Sequence, residues 1–197
     1  MRKVAGLVVA GLALLSACRA TEKPPDVGQL VSQLRGGDPQ KSGAARLQLI
    51  RLGEPAVPAL SELLRSGQTA DRLAAANALW GMGSRGRAAV PDLGAALGET
   101  DTQLRLVAAM ALENMGAAAE PAVPALITAV SDREGAVRQA AVKALGAIGP
   151  AARAALPTLT RILRRGSWPE AEESVRRIKG LEPGARLDLG AEADDVR

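Results

Sequence analysis

The sequence predicts an all-α solenoid of about five helix pairs. Three observations carry that expectation. The apolar-Pro pairs Val57-Pro58, Val90-Pro91, Val123-Pro124 and Leu156-Pro157 recur every 33 residues, and a fixed period of a few tens of residues marks stacked supersecondary units. Within each period, apolar residues repeat at helical spacing in two runs, as at Val57, Leu60 and Leu64. The composition supplies 40 Ala and 27 Leu, about a third of the 197 residues, with no Phe or Tyr and only two Trp. Helices built this way pack closely through small side chains.

Each unit reads as a first helix, a turn and a second helix. The first helix opens at the apolar-Pro pair, where proline costs nothing because first-turn amides have no intrahelical partner. Gly67, Gly98 and Gly166 stand where it should stop. The second helix follows Arg-x-x-Ala-Ala-x-Ala-Leu-x-x-(Met/Ile)-Gly, with small departures, over 72–83, 105–116 and 138–149. Its alanines, 75, 108 and 141, then 78, 111 and 144, allow neighbouring backbones to approach. Leu79, Leu112 and Leu145 with Met82, Met115 and Ile148 fill the core, and Gly83, Gly116 and Gly149 suit left-handed caps. Partial copies flank these units. Val27, Leu30, Leu34, Ala45, Leu49 and Leu52 align at an offset of 30, and Ser174, Ile178 and Leu181 occupy the expected places at the far end. The pairs are therefore expected near 26–53, 55–83, 88–116, 121–149 and 154–181. Residues 182–197 are Gly-, Asp- and Glu-rich and are expected to fray.

The segments Pro121-Ala-Val-Pro-Ala-Leu126, Asp132-Arg-Glu-Gly-Ala-Val-Arg138 and Ala141 through Gly149 resemble the HEAT-repeat superfamily, specifically its short, phycobilin-lyase-type repeat. The resemblance covers residues 26 to about 181 and implies a right-handed α-solenoid. It also implies a polar ladder in which an Asp in the inter-helix turn and an Arg opening the second helix join successive units. Asp132 with Arg138 matches the spacing, and Glu99 with Arg105 is a conservative version. Arg72 holds the same place one unit earlier, but Ser66 stands at that unit's acidic position. Ankyrin repeats share the period, but their Thr-Pro-Leu-His motif is absent; tetratricopeptide repeats need large aromatics that this chain lacks.

The N-terminus carries an address. Met1-Arg2-Lys3 is basic, Val4 to Leu15 is an apolar run of 12 residues, and Leu15-Ser16-Ala17-Cys18 follows. The run is too short for a comfortable bilayer span but suits a signal-peptide core. The last four residues resemble the bacterial lipobox. That resemblance implies a signal peptide over 1–17, diacylglyceryl attachment to the Cys18 thiol and a lipidated tether over 18–25. Two or three acyl chains hold firmly where one is marginal. Residues 20–26 reach at most about 25 Å, which keeps the array near the membrane. Arg19 after the Cys, by enteric sorting rules, favours the periplasmic face of the outer membrane over the inner one. Loss of Arg2 and Lys3 lowers the formal charge from +4 to about +2, so the basic balance says little about nucleic acid.

Composition excludes much chemistry. Without His there is no Ser-His-Asp triad and no His-containing metal or haem site, and one Cys builds neither a thiolate cluster nor an internal disulfide. Aromatic platforms for single-stranded nucleic acid are nearly absent. No catalytic constellation is visible, and no enzyme activity, cofactor, metal or small-molecule substrate is expected. In a solenoid the repeating positions are buried, so specificity belongs to exposed positions that differ between units. On the second helices these run through Leu47, Ile50 and Arg51, then Leu73, Asn77 and Trp80, then Leu106, Met110 and Glu113. Gln139 and Lys143 continue the row, and Glu172, Arg176 and Lys179 finish it. By the resemblance, second helices line the concave surface, apolar in the middle and basic at its C-terminal end. Leu73, Asn77, Trp80, Leu106, Met110, Glu113, Lys143 and Arg176 are the candidate residues for a protein or peptide partner; the alternative for Trp80 is a cap on the core between units. Arg161, Arg164 and Arg165 read as helix C-terminal charges, with anionic lipid or a polyanion as the alternative. Asp188, Glu192, Asp194 and Asp195 form an acidic tail, and Trp168 is expected to cover the open end of the core.

The leading expectation is therefore a membrane-anchored envelope scaffold for protein interaction. The alternatives are a modifying factor of the chromophore-lyase kind, and a structural envelope lipoprotein that contacts lipid or cell wall.

Overall fold

The computed structural model describes residues 26–189. Cys18, with the expected signal segment and tether, and residues 190–197 lie outside the described residues. Among the described residues, ten α-helices form five pairs: α1 (Val27–Arg35) with α2 (Pro39–Leu52), α3 (Val57–Ser66) with α4 (Thr69–Met82), α5 (Val90–Ala96) with α6 (Thr102–Met115), α7 (Val123–Ala129) with α8 (Gly135–Ile148), and α9 (Leu156–Arg165) with α10 (Pro169–Lys179). No strand occurs among the described residues. The chain is an all-α, right-handed solenoid of HEAT-like helix pairs.

The helix starts follow from local chemistry. The carboxylate of Asp38 accepts from the amides of Gln40 and Lys41, and that of Asp101 accepts from Leu104. Both satisfy first-turn donors that have no partner within the helix. Proline occupies the first turn of α3, α5, α7 and α9. The pairs are joined by 3-10 segments at Glu54–Ala56, Gly83–Ala89, Gly116–Ala122 and Gly149–Ala155. The last three joints begin at Gly83, Gly116 and Gly149, none of which is in the left-handed helical cap expected of it. Gly116 has φ 57° and ψ −133°, and Gly149 has φ 71° and ψ −140°. That region is closed to any residue with a Cβ, so the period-33 glycine is a requirement of the joint.

The second helices form the packed spine. Ala75, Ala78, Ala108, Ala111, Ala141 and Ala144 are completely buried, so α4, α6 and α8 lie close side by side. The first helices touch one another at few places. A stack that is tight on one side and loose on the other curves, with its second helices on the inner, concave surface. A close contact lies between α8 and α10. A Cβ on Gly146 would sit 2.5 Å from Oγ of Ser174 and 3.0 Å from its Cα. The Ser174 hydroxyl is itself buried and donates to the Val142 carbonyl at 2.9 Å.

The polar ladder runs between units, with a pairing different from the one the spacing suggested. Asp132 is held by Arg105 of the preceding unit: Nε to Oδ2 at 2.8 Å and Nη2 to Oδ1 at 3.1 Å. Glu99 is likewise held by Arg72, at 2.7 Å. The Arg105–Asp132 side chains are only 5% and 10% exposed. Nη1 of Arg105 donates to the carbonyls of Glu99 and Thr100, and Nη2 also reaches Oγ1 of Thr102. A buried pair is tolerated when its remaining donors are satisfied in this way. The Arg105 guanidinium holds the Asp132 carboxyl below its ordinary value of 3.8, assisted by the Glu134 amide. Arg138 does not pair with Asp132; it donates instead to the backbone carbonyls of Asp132 and Arg133.

Residues 182–189, expected to fray, cross back over the last pair. Nε of Arg176 donates to the Ala185 carbonyl at 2.8 Å, Nζ of Lys179 to Asp188 at 2.8 Å and Nη2 of Arg164 to Leu189 at 2.7 Å. Leu187 and Leu189 pack against the core beside half-buried Trp168.

Two outcomes follow for stability. Gly146→Ala is expected to lower unfolding free energy by about 1–3 kcal/mol, because the added carbon meets backbone as well as the Ser174 hydroxyl; urea melts measure it. Asp132→Asn is expected to cost about 3 kcal/mol at neutral pH, since it leaves the Arg105 charge buried and unpaired. A carboxyl whose folded pKa is lowered contributes fully above its unfolded value and loses that contribution as pH falls towards the folded one. The difference between wild type and Asp132→Asn should therefore be constant above about pH 5 and shrink as pH drops below 3.8. A difference that does not change down to pH 2 would overturn the assignment.

Candidate functional site

The inner surface of the array is built by the exposed strips of α4, α6, α8 and α10. Their register is fixed by the alanine contacts behind them, so the candidate residues come to one continuous face. The structure divides them into three groups.

Leu73, Leu106 and Met110 are half-buried and pack against the core. Asn77 donates its side-chain amide to the Leu73 carbonyl at 2.8 Å and stays on its own helix. These side chains form the floor of the surface.

Trp80 stands out from the floor, 41% exposed at the C-terminal end of α4. Its backbone carbonyl is tied to the next unit by Nδ2 of Asn114 at 2.7 Å. The backbone beneath the indole is therefore held, while the residue stays exposed. Exposed aromatic area on a rigid support is the kind of residue that anchors partners. Leu47, one unit earlier on α2, is also exposed.

Glu113 and Lys143 come together further along. They line a cavity of about 420 Å³ with Glu170, Glu173, Ser174 and Arg177. Glu170 accepts from Nε2 of Gln139 at 2.6 Å, and Glu173 pairs with Arg177 at 3.1 Å. The Glu170 carboxyl is held below its ordinary range, first by its own backbone amide and next by Gln139, with Lys143 a smaller influence. The side chains of Glu113 and Lys143 make no hydrogen bond or ion pair to any described residue. The cavity thus presents one carboxylate and one ammonium that the fold itself does not use.

The C-terminal end of this surface is less basic than the sequence implied. Arg176 pairs with Glu172 at 3.3 Å and Glu173 at 3.6 Å and donates to Ala185, and Lys179 donates to Asp188. Both cations serve the returning segment 182–189. The carboxylates of Glu170 and Glu173 occupy the cavity with Lys143 instead. The sequence signal for this was available in Leu187 and Leu189, apolar residues within a stretch otherwise read as a solvated tail.

A second depression, about 640 Å³, lies between α5 and α7, where Gly94, Ala95 and Ala125 leave space above the Arg105–Asp132 pair. The donors of Arg105 are already engaged there. Among the described residues, no group of three or more His, Cys, Asp or Glu side chains is placed to hold a metal ion.

Comparison with known proteins agrees with this architecture. A family model of HEAT repeats matches residues 90–177, the third to fifth helix pairs. The complex of CpcE and CpcF of phycocyanin lyase from Nostoc sp. PCC7120 is similar, with a TM-score of 0.60 at 19% identity over 78% of this chain and 97% of that one. A designed armadillo repeat protein in complex with a (KR)4 peptide has a TM-score of 0.58 at 18% identity, over 77% and 80% of the two chains. An engineered protein has a TM-score of 0.57 at 22% identity, over 78% and 79%. No curated protein matches the sequence. These likenesses share the stacking of helix pairs and differ in sequence at most positions. The described residues have the fold of HEAT- and armadillo-type solenoids, and residues 90–177 match HEAT repeats.

Proposed function

We propose that this protein is a lipid-anchored scaffold of the bacterial envelope that holds a protein or peptide partner on its concave surface. The observation that carries the binding reading is the Trp80 indole. It is exposed next to Leu73, Leu106 and Met110, which are half-buried, and the Glu113 and Lys143 side chains lie one and two units further along. An exposed aromatic anchor flanked by unsatisfied charge fits a peptide that offers an apolar side chain and polar groups of both signs. The similar designed armadillo repeat protein, in complex with a (KR)4 peptide, supports peptide binding as a use of this architecture.

Anchoring rests on Leu15-Ser16-Ala17-Cys18 and the basic and apolar segments before it. A lipidated Cys18 would place the concave surface within a short tether of the membrane, on the periplasmic face of the outer membrane by the Arg19 rule. The mechanism is rigid presentation, with no chemistry performed on the partner. Concentrating a partner near the membrane raises its effective concentration without any new contact.

Each part has its own test. Cys18→Ala is expected to move the protein from the membrane fraction to the soluble fraction and to abolish incorporation of labelled fatty acid. Retention in the membrane with no fatty-acid label in the wild type would reject the anchor. A photo-crosslinker at position 80 in intact cells is expected to capture a specific protein. Trp80→Ala, by affinity measurement with that captured protein, is expected to weaken binding about tenfold or more with little change in melting temperature. A lowered melting temperature with unchanged capture would make Trp80 a packing residue and sink the groove reading.

A further inference from the structure

Positions 80, 113 and 146 are spaced by 33 residues and hold the same register on α4, α6 and α8. They are occupied by Trp, Glu and Gly. At Gly146 no side chain of α8 stands between Glu113 and α10, and α10 closes in until Ser174 meets the glycine; a Cβ there would lie 2.5 Å from the Ser174 Oγ. The cavity of about 420 Å³ lies here, lined by Glu113 of α6, Lys143 of α8, and Glu170, Glu173, Ser174 and Arg177 of α10. Its charges do not cancel, because three carboxylates share it with two cations. Glu173 is taken by Arg177 at 3.1 Å and by Arg176 at 3.6 Å. Glu170 is held by its own amide and by Gln139, and the Lys143 charge also acts on it. Glu113 is half-buried and has neither a hydrogen-bond donor nor a cation among the described residues. What the fold leaves over in the cavity is one carboxylate.

We propose that this cavity receives a lysine or arginine side chain of the partner, with Glu113 as its counter-ion. The inference rests on the concave-surface reading above and adds the partner's charge and spacing to it. A hydrogen bond between two ionised groups is shorter and stronger than a neutral one, and a half-buried pair is screened less by salt than an exposed one. An acidic side chain would have to enter among three carboxylates to reach Lys143, whose charge already acts on Glu170. Like charges brought together in this way reject a partner. The position of Trp80 sets the spacing. Helix α8 lies two second helices beyond α4, and packed helices stand 8–10 Å apart, so indole and cavity are separated by roughly 16–20 Å. An extended chain covers that distance in about five or six residues. The partner segment therefore carries a large apolar residue for Trp80 and a basic residue about five or six positions away.

The test uses the full chain and a phage-displayed library of random dodecapeptides. Selection on the wild type is expected to yield peptides with Lys or Arg about five or six positions from a large apolar residue. Selection on Glu113→Lys is expected to exchange that basic residue for Asp or Glu. For a synthetic copy of a selected peptide, Glu113→Gln should weaken binding about tenfold or more in calorimetric titration, and Lys143→Gln, which removes the competing cation, should strengthen it about threefold. Neither side chain is bonded within the fold, so both variants are expected to keep the wild-type melting temperature. Trp80→Ala separates this inference from the reading beneath it. Peptides that lose affinity with Trp80→Ala but carry an acidic residue at that spacing, or that bind Glu113→Gln as well as wild type, overturn the cation receptacle and leave the concave surface standing. Basic peptides sensitive to Glu113→Gln alone support the receptacle and reject Trp80 as the anchor. A selection that yields no peptide sensitive to either change overturns both.

Discussion

The close approach of the second helices governs this molecule. Alanines at the facing positions of α4, α6 and α8 leave no side-chain bulk between neighbouring backbones, and each unit must then bury its Leu and Met or Ile residues against the first helices behind. Dispersion across such a contact is collectively large although each pair of atoms contributes little. Everything else follows from this asymmetry. The first helices, carrying larger residues, sit further apart, so the array curves with its second helices inside. The curvature in turn assembles a single face from four helices that are distant in sequence. A scaffold without Phe or Tyr is possible because its core is a repeated seam of small residues and needs no large aromatic centre.

The ladder is a second, polar bond between units at the turn edge. It differs from the alanine seam in its physics. The seam is indifferent to which unit is stacked on which, whereas the Arg–carboxylate contacts require a donor and an acceptor of matching length. Arg72 with Glu99 is the longer, more exposed version, and Arg105 with Asp132 the shorter, more buried one. The more buried of these two cross-links, Arg105 with Asp132, therefore joins the third unit to the fourth.

Much of this was legible in the sequence. The 33-residue spacing located every central helix pair, and the alanine columns identified the seam, because a buried repeating position can only be explained by a repeating contact. The ladder residues were legible as a set but not as pairs. Asp132 and Arg138 lie six residues apart, and nothing in a linear spacing says that the carboxylate looks backwards to Arg105. The joints were also obscure: a glycine at position 83 or 116 reads equally as a helix cap or as the start of a 3-10 segment, and only the backbone angles separate them. At the candidate surface, Trp80 was identifiable as an odd residue among repeats. The burial of Leu73, Leu106 and Met110 was not, since a large apolar residue on an exposed helical stripe folds into the groove beside it when the neighbouring helix is near. The bonds from Arg176 and Lys179 to the Ala185 and Asp188 carbonyls were not legible, because no residue pattern reveals a backbone acceptor.

The returning segment 182–189 bears on how the array ends. A stack of identical units is open at both ends, each presenting the surface on which another unit would fit, and such ends invite polymerisation into filaments. At the far end, Leu187 and Leu189 lie across the last pair, fastened by the cations of α9 and α10. At the near end, α2 turns Gln40, Ala44, Gln48 and Arg51 outwards. A growing fibre would have to displace a strap at one end and desolvate a polar helix at the other. At the far end, eight residues that belong to no repeat thus lie where a further unit would stack.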